Sequence, residues 1–230
     1  MLLAAACLFI QEADAAHKHV EDAQKSLKNA PAIAFDEELT RVRRGVHVED
    51  RSRARITVKR SNLLRLEIPS KEKGGGHLVV LDGEKLWHLD RTANTVAEFH
   101  QDETNEHVHL RRRLPASLFL GTAAARLKAE GVKDVKVGQE KLLGTPCVVI
   151  TWKERDPTAP LVDVIETYQL FLDPTKLPRR MIRSWKDGDV ETTETTDYSN
   201  FDLAPKIGKD TFTFTPPEGA TKKELPGPAR

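Results

Sequence analysis

The chain has 230 residues, with 36 lysines and arginines against 35 aspartates and glutamates and a formal net charge of +1. That balance excludes a broad electrostatic field for nucleic acid or an anionic membrane, and the length allows a core that needs no disulfide or metal staples. The local basic runs, Arg111-Arg112-Arg113 and Arg51 to Arg55, read as solvated faces rather than phosphate sites.

The opening MLLAAACLFI is almost wholly apolar but too short to span a bilayer as a helix. With Ala13-Asp14-Ala15 as an A-x-A cleavage box it matches the core of a secretory signal. Residues 1–15 are therefore expected to be a signal segment, its charged leader lying upstream of Met1, and the protein to be exported to the periplasm. Ala4-Ala5-Ala6-Cys7 has the outline of a lipidation box, but alanine stands three positions before the cysteine where leucine is usual. Lipid anchoring at Cys7 is the lesser reading. Cys147, in the apolar run Pro146 to Ile150, is then left without a disulfide partner and expected to be buried.

Val20, Ala23 and Leu27 recur at helical spacing and predict a short amphipathic helix ending near Asn29, stopped by Pro31. The period then changes to two. Ile33, Phe35 and Leu39, then Val46 to Val58, then Leu64, Leu66 and Ile68 alternate as strands with one wet and one dry face do. Lys73-Gly74-Gly75-Gly76, Asp82-Gly83 and Arg91 to Asn94 mark turns that separate strands at His77 to Leu81, Lys85 to Asp90 and Thr95 to Phe99. Between Gln101 and Gly131, alanine and leucine at high density predict a helical insertion. Strands return at Val132 to Val137, Cys147 to Trp152, Val162 to Leu172, Arg179 to Trp185, Val190 to Tyr198 and Phe212 to Phe214. Frequent turns between short strands predict a meander in which sequence neighbours pair. With no linker or repeat, residues 16–222 are read as a single domain and 223–230 as a flexible tail.

Three segments resemble the LolA family of lipoprotein carriers: Val58-Lys59-Arg60-Ser61-Asn62-Leu63-Leu64-Arg65-Leu66, Leu81-Asp82-Gly83-Glu84-Lys85-Leu86-Trp87-His88-Leu89, and Thr211-Phe212-Thr213-Phe214-Thr215-Pro216-Pro217-Glu218-Gly219-Ala220. The resemblance implies a mainly β fold with α, a curved antiparallel sheet forming an incomplete barrel covered by short helices. It implies a periplasmic carrier that reversibly binds the acyl chains of a lipoprotein or lipid in an apolar cavity gated by a helical lid. It gives Arg60 the role of holding that lid. The family's next residue is proline where this chain has Ser61, and an aromatic near the cavity floor falls at Leu64. The wider superfamily includes envelope-stress regulators, so the alternative is a sensor or interaction module that recognises lipidated partners without transporting them.

On this reading Leu64, Leu66, Ile68, Val80, Trp87, Leu118, Phe119, Trp152 and Trp185 are candidates to line the cavity; patterning alone favours a filled core for them, and the resemblance reverses that preference. The expected partners are acyl chains and a membrane-bound donor or acceptor protein, with the carrier itself a monomer. No cofactor is expected. His100, His107 and His109 suggest a metal only superficially, since their neighbours form a polar loop in which solvated histidines are ordinary. No G-x-S-x-G elbow, phosphate loop or H-E-x-x-H pair is present, so the chain is read as a non-enzyme, with an ester hydrolase as the remaining catalytic possibility.

Overall fold

The computed structural model describes residues 2–59, 63–70, 74–100, 127, 131–155 and 164–223. One helix, α1 (Leu2–Lys28), precedes β1 (Ile33–Arg44), β2 (Val48–Lys59), β3 (Leu63–Pro69), β4 (Gly76–Leu81), β5 (Lys85–Asp90) and β6 (Thr95–His100). There follow β7 (Lys133–Leu142), β8 (Thr145–Arg155), β9 (Ile165–Leu172), β10 (Pro178–Asp187), β11 (Val190–Asp202) and β12 (Thr221–Lys222). The hydrogen-bonded order is β12-β6-β5-β4-β3-β2-β1-β11-β10-β9-β8-β7, so the sheet is unclosed, with β12 and β7 at its ends. Sequence neighbours pair through both halves of this order, as the turn spacing predicted.

Three expectations are corrected. The helix does not begin after the apolar leader but runs unbroken from Leu2, because nothing between Leu2 and Lys28 is a helix breaker. Among the described residues it is the only helix, where several short ones were expected to cover the sheet; the predicted helical insertion falls on residues 101–130, which apart from Leu127 lie outside the described residues. Phe212 to Phe214 is turn and coil rather than strand. Its apolar residues signal packing, and the pairing that secures this segment comes later, where Thr221 and Lys222 run parallel to Thr95 and Val96.

The chain groups into two compact units, 1–29 with 38–52 and 116–199, and 30–37 with 53–115 and 200–230. In the first, α1 packs on β7 and buries Ala16, Val20, Ala23 and Leu27, the stripe that its period of 3.6 brings to one face. Lys25 and Lys28 occupy its last turn, where the helix dipole favours cations. On one face of β8–β10, Cys147, Val149 and Phe171 cluster with Leu142 and Ile182, and burial pushes the Cys147 thiol pKa up.

In the second unit, turn chemistry is specific. Asp82 Oδ1 accepts the amides of Glu84 and Lys85 at 3.0 and 2.8 Å, and Asp90 Oδ1 those of Thr92 and Ala93 at 2.9 and 3.0 Å. Gly76 has φ of 108°, and a Cβ there would lie 2.2 Å from the Ile68 carbonyl oxygen, so no other residue fits. Past β11, the chain returns across β4–β6: Phe214 and Ala220 pack with Trp87 on Leu78, Val80, Leu89 and Val96. Phe214 stacks on Trp87 at 5.1 Å, while Trp87 Nε1 donates to Asp82 Oδ2 at 3.0 Å.

The β9–β10 turn of the first unit is organised by one buried carboxylate. Asp173 accepts the Thr175 and Leu177 amides at 2.8 and 3.0 Å and the Arg179 Nε at 2.8 Å. Burial alone would raise its pKa, but the hydrogen bonds from Thr175, Leu177 and Arg179 outweigh it and hold the carboxyl below its ordinary value of 3.8. A depressed folded-state pKa contributes stability that is complete above the unfolded value and is lost as pH falls through the folded one. Asp173→Asn should therefore cost about 1–3 kcal/mol at neutral pH and flatten the acid limb of stability below pH 3.8. Urea unfolding across pH checks both, and an unchanged acid limb would refute the assignment.

Candidate functional site

Strand register sorts the second unit's side chains into two faces, because neighbours across a ladder share a face and successive residues do not. One face carries the rows Val58–Leu64–Leu81–Leu86–Phe99 and Ile56–Leu66–Val79–His88–Ala97, followed by Ile68–His77–Asp90–Thr95. Ile56, Leu64, Leu66, Val79, Leu86, Ala97 and Phe99 are buried, and Val58, Ile68 and Leu81 half-buried. The third row is polar. His88 Nε2 lies 3.3 Å from His77 Nδ1, beside Asp90, so this apolar face ends in a hydrogen-bonding edge.

The cavity candidates do not all share that face. Leu64, Leu66 and Ile68 do. Val80 aligns with Arg65 and Trp87 with Glu98 on the other side, under Phe214. Trp87 and Phe214 border an open groove of about 670 Å³ that also meets Leu63, Phe212, Lys59 and Lys209. A single-face lining cannot include both sets. The sequence hid this because Leu78, Val79 and Val80 are consecutive apolar residues, all buried: a strand dry on both faces loses the alternation that reveals parity. Arg60, Leu118 and Phe119 lie outside the described residues.

Trp152 and Trp185 belong to the first unit, on the face of β8–β11 opposite Cys147. There an apolar row, Val137–Ile150–Leu170–Met181, adjoins Trp152–Tyr168–Arg183–Glu194 and then Glu154–Glu166–Trp185–Thr192. Far from lining a purely apolar surface, the two tryptophans frame charge. Arg183 Nη2 and Tyr168 Oη both donate to the buried Glu166. Arg183 Nη1 lies 3.5 Å from Glu194 Oε2, and Arg41 donates to Glu194 Oε1 through Nε and Nη2 at 2.8 and 2.6 Å. The Arg183 guanidinium lies 4.6 Å from the Trp185 ring centroid, and Trp152 stacks on Tyr168 at 5.0 Å. Burial opposes the Arg183 charge, yet its bond to Glu166 and the Glu166 and Glu194 charges raise its pKa above the ordinary value.

The family model for "Predicted periplasmic protein (DUF2092)" matches residues 16–225. The chain belongs to this family. Its description carries the periplasmic location expected from the leader. No curated protein matches the sequence. Among solved structures, an uncharacterized conserved protein from Thermus thermophilus has a similar fold, with TM-score 0.54 and 11% identity over 91% of this chain and 98% of that one. Weaker likenesses are a LolA superfamily protein from Nitrosomonas europaea, TM-score 0.45 and 14% identity over 86% and 97% of the two chains, and the lipoprotein LppX of Mycobacterium tuberculosis, 0.47 and 12% over 85% and 99%.

Sequence reading missed the polar row of this DUF2092 protein. Glu166 and Arg183 sit two residues from Tyr168 and Trp185 inside strands that otherwise alternate normally, and that spacing was the available signal: a charge at an inward parity position. Among the described residues no group of three His, Cys, Asp or Glu is placed to hold a metal ion. His107 and His109 fall outside them. Because Glu166 is only 2% exposed, Glu166→Gln should cost about 3 kcal/mol by leaving Arg183 underpaired. Glu166→Leu with Arg183→Met should recover most of that loss. Chemical denaturation of both single variants and the double variant tests the pair; a double-variant loss equal to the sum of the two single losses would show that the two residues do not act together.

Proposed function

We propose that this DUF2092 protein reversibly binds acyl chains of a lipoprotein or lipid in the periplasm, acting as a carrier, with the chain laid against the apolar face of β2–β6. The observation that supports this reading is that face itself. It runs unbroken through two rows from Val58 to Phe99 and Ile56 to Ala97, interrupted only by His88, and ends in the polar row at His77, Asp90 and Thr95. An amphiphile has the same order, hydrocarbon first and a hydrogen-bonding end after. The opposite face has its own cover in Phe214 and Ala220, so the two faces are not interchangeable. Each methylene removed from water contributes roughly 0.8 kcal/mol, so about fifteen, roughly 12 kcal/mol, would leave about micromolar affinity after an association cost of about 4 kcal/mol. Arg60, by its place in the Val58-Lys59-Arg60 segment, is proposed to hold a lid over the bound chain.

Uptake of a fluorescent fatty acid by delipidated protein tests the reading. Ile68→Ser and Leu81→Ser, at half-buried positions on the proposed face, should each weaken binding several-fold with a small change in Tm. Phe214→Ala, on the other face, should lower Tm but leave affinity unchanged. Absence of saturable uptake, or weakening by Phe214→Ala alone, would overturn the proposal. A stable protein complex indifferent to acylation would favour an interaction module instead.

A further inference from the structure

Strand β7 stands at one end of the hydrogen-bonded order and, among the described residues, pairs only with β8. Its outer edge, along Lys133–Leu142, therefore presents backbone N–H and C=O groups that no ladder satisfies. Gly138, Gln139, Glu140 and Lys141 are exposed in succession. Successive residues of a strand face opposite ways, so four in a row mean that neither face is covered there. The buried or half-buried residues of β7 are Val135, Val137 and Leu142, so the packing of α1 on this strand leaves Gly138 to Lys141 open. Lys136 and Glu140 are both exposed and share the face of Cys147. About 13 Å apart along the strand, they are too distant to pair with each other, and neither has an ion pair among the described residues. Gly138 lies midway between them. Its φ is not positive and a Cβ there would meet nothing within 4 Å, so neither backbone conformation nor crowding within the chain calls for glycine.

We propose that the outer edge of β7 pairs antiparallel with the same edge of a second copy of this chain, about a two-fold axis at Gly138. Charge sets the partner and the register. Opposed residues of a ladder share a face, so a two-fold pairing can shift only in whole-residue steps of the axis along the strand. With the axis at Gly138, Lys136 opposes the partner's Glu140 and Glu140 opposes the partner's Lys136, an attraction made twice. With the axis at Val137, Lys133 would oppose the partner's Lys141, and Asp134 the partner's Glu140, like on like. Axes at Lys136 or Glu140 oppose each of those charges to itself. An axis at Val135 would match Asp134 with Lys136, but Asp134 sits in the β-bulge at φ 53° and is bonded to Lys153 at 2.7 Å. Glycine inside a strand commonly marks the close approach of another backbone, and here it falls on the axis. The register also brings Leu143, 94% exposed at the β7–β8 tip, level with the partner's Lys133. Charge on an edge strand ordinarily deters pairing. Against its own copy, in this register, it does the reverse.

Sedimentation velocity of the full chain across a concentration series tests the pairing, and wild type should show a reversible monomer–dimer equilibrium. Lys136→Glu and Glu140→Lys, both at exposed positions, each turn two attractive pairs into two repulsive ones and should raise the dimer Kd about tenfold. Their Tm, read at a concentration where wild type is monomeric, should be unchanged. An equimolar mixture of the two variants should associate again, because each then offers the other the charge that it lacks, and the double variant K136E/E140K should dimerise by itself. A wild-type chain that stays monomeric at every concentration would overturn the inference. So would a dimer indifferent to both reversals, or single-variant losses that mixing does not recover. Fatty-acid uptake concerns the second unit and is measured separately, so failure of either reading leaves the other standing.

Discussion

Strands β4 to β6 have buried side chains on both faces, and the arrangement of the second unit depends on that double burial. A sheet with one wet face needs only one partner layer. Here Leu78, Val80, Leu89 and Val96 require a cover on one side, while Leu64, Leu66, Val79, Leu86 and Phe99 are buried on the other. The segment after β11 meets the first requirement with few residues. Phe214 and Ala220 reach the cluster, and the cover is closed by backbone bonds, the Thr221 amide to the Asn94 carbonyl at 3.0 Å and the Lys223 amide to the Val96 carbonyl at 2.8 Å. Trp87 serves this side twice, stacking on Phe214 and anchoring its indole on the Asp82 carboxylate that also builds the β4–β5 turn. Hairpin geometry and the hydrophobic cover are therefore fixed by one residue pair.

The same constraint explains what was legible in the sequence. Existence and order of the strands could be read, because turn chemistry punctuates them: Asp82-Gly83 and Arg91 to Asn94 both fall between paired strands. β5 was predicted residue for residue. Parity was legible where polar residues alternate, as in Leu64-Arg65-Leu66-Glu67-Ile68, and illegible in Leu78-Val79-Val80, where the side chains that divide the faces are chemically alike. Phe212 to Phe214 was read as a strand because its apolar residues alternate with threonine. The pattern was real, but it records packing on Trp87, which requires side-chain direction and no ladder. The two-residue β12 leaves almost no compositional trace, since parallel pairing of Thr221 and Lys222 uses backbone alone.

The polar row of the first unit poses a different kind of problem. Stability does not call for it: an apolar replacement of a buried ion pair is commonly neutral or better. Yet Glu166 is nearly solvent-free, Arg183 is mostly buried, and Arg41 and Glu194 extend the chain of charge across two further strands. Each ion is opposed by a neighbour across the ladder, an arrangement that holds long side chains in one geometry and gives donors a fixed direction. The cost of burying these groups is concentrated on one face, next to the apolar row of Ile150, Leu170 and Met181. The reverse face, around Cys147, Val149 and Phe171, has an ordinary apolar cluster.

Each unit therefore presents a face on which apolar rows give way to a polar row, at His77, Asp90 and Thr95 in one and at Trp152, Tyr168 and Arg183 in the other. The two polar rows differ chemically. The first includes His77, whose Nδ1 lies 3.3 Å from Nε2 of His88 in the adjoining row, so that each ring nitrogen there donates or accepts according to its tautomer. The second sets two buried N–H groups without a partner, Trp152 Nε1 and Arg183 Nε, among the paired groups of Tyr168, Arg183 and Glu194. The first can donate as well as accept, whereas a buried donor without a partner carries the desolvation cost of that group. In both units the polar groups at the margin of the apolar rows are the residues that depart from the hydrophobic pattern at positions of the same strand parity.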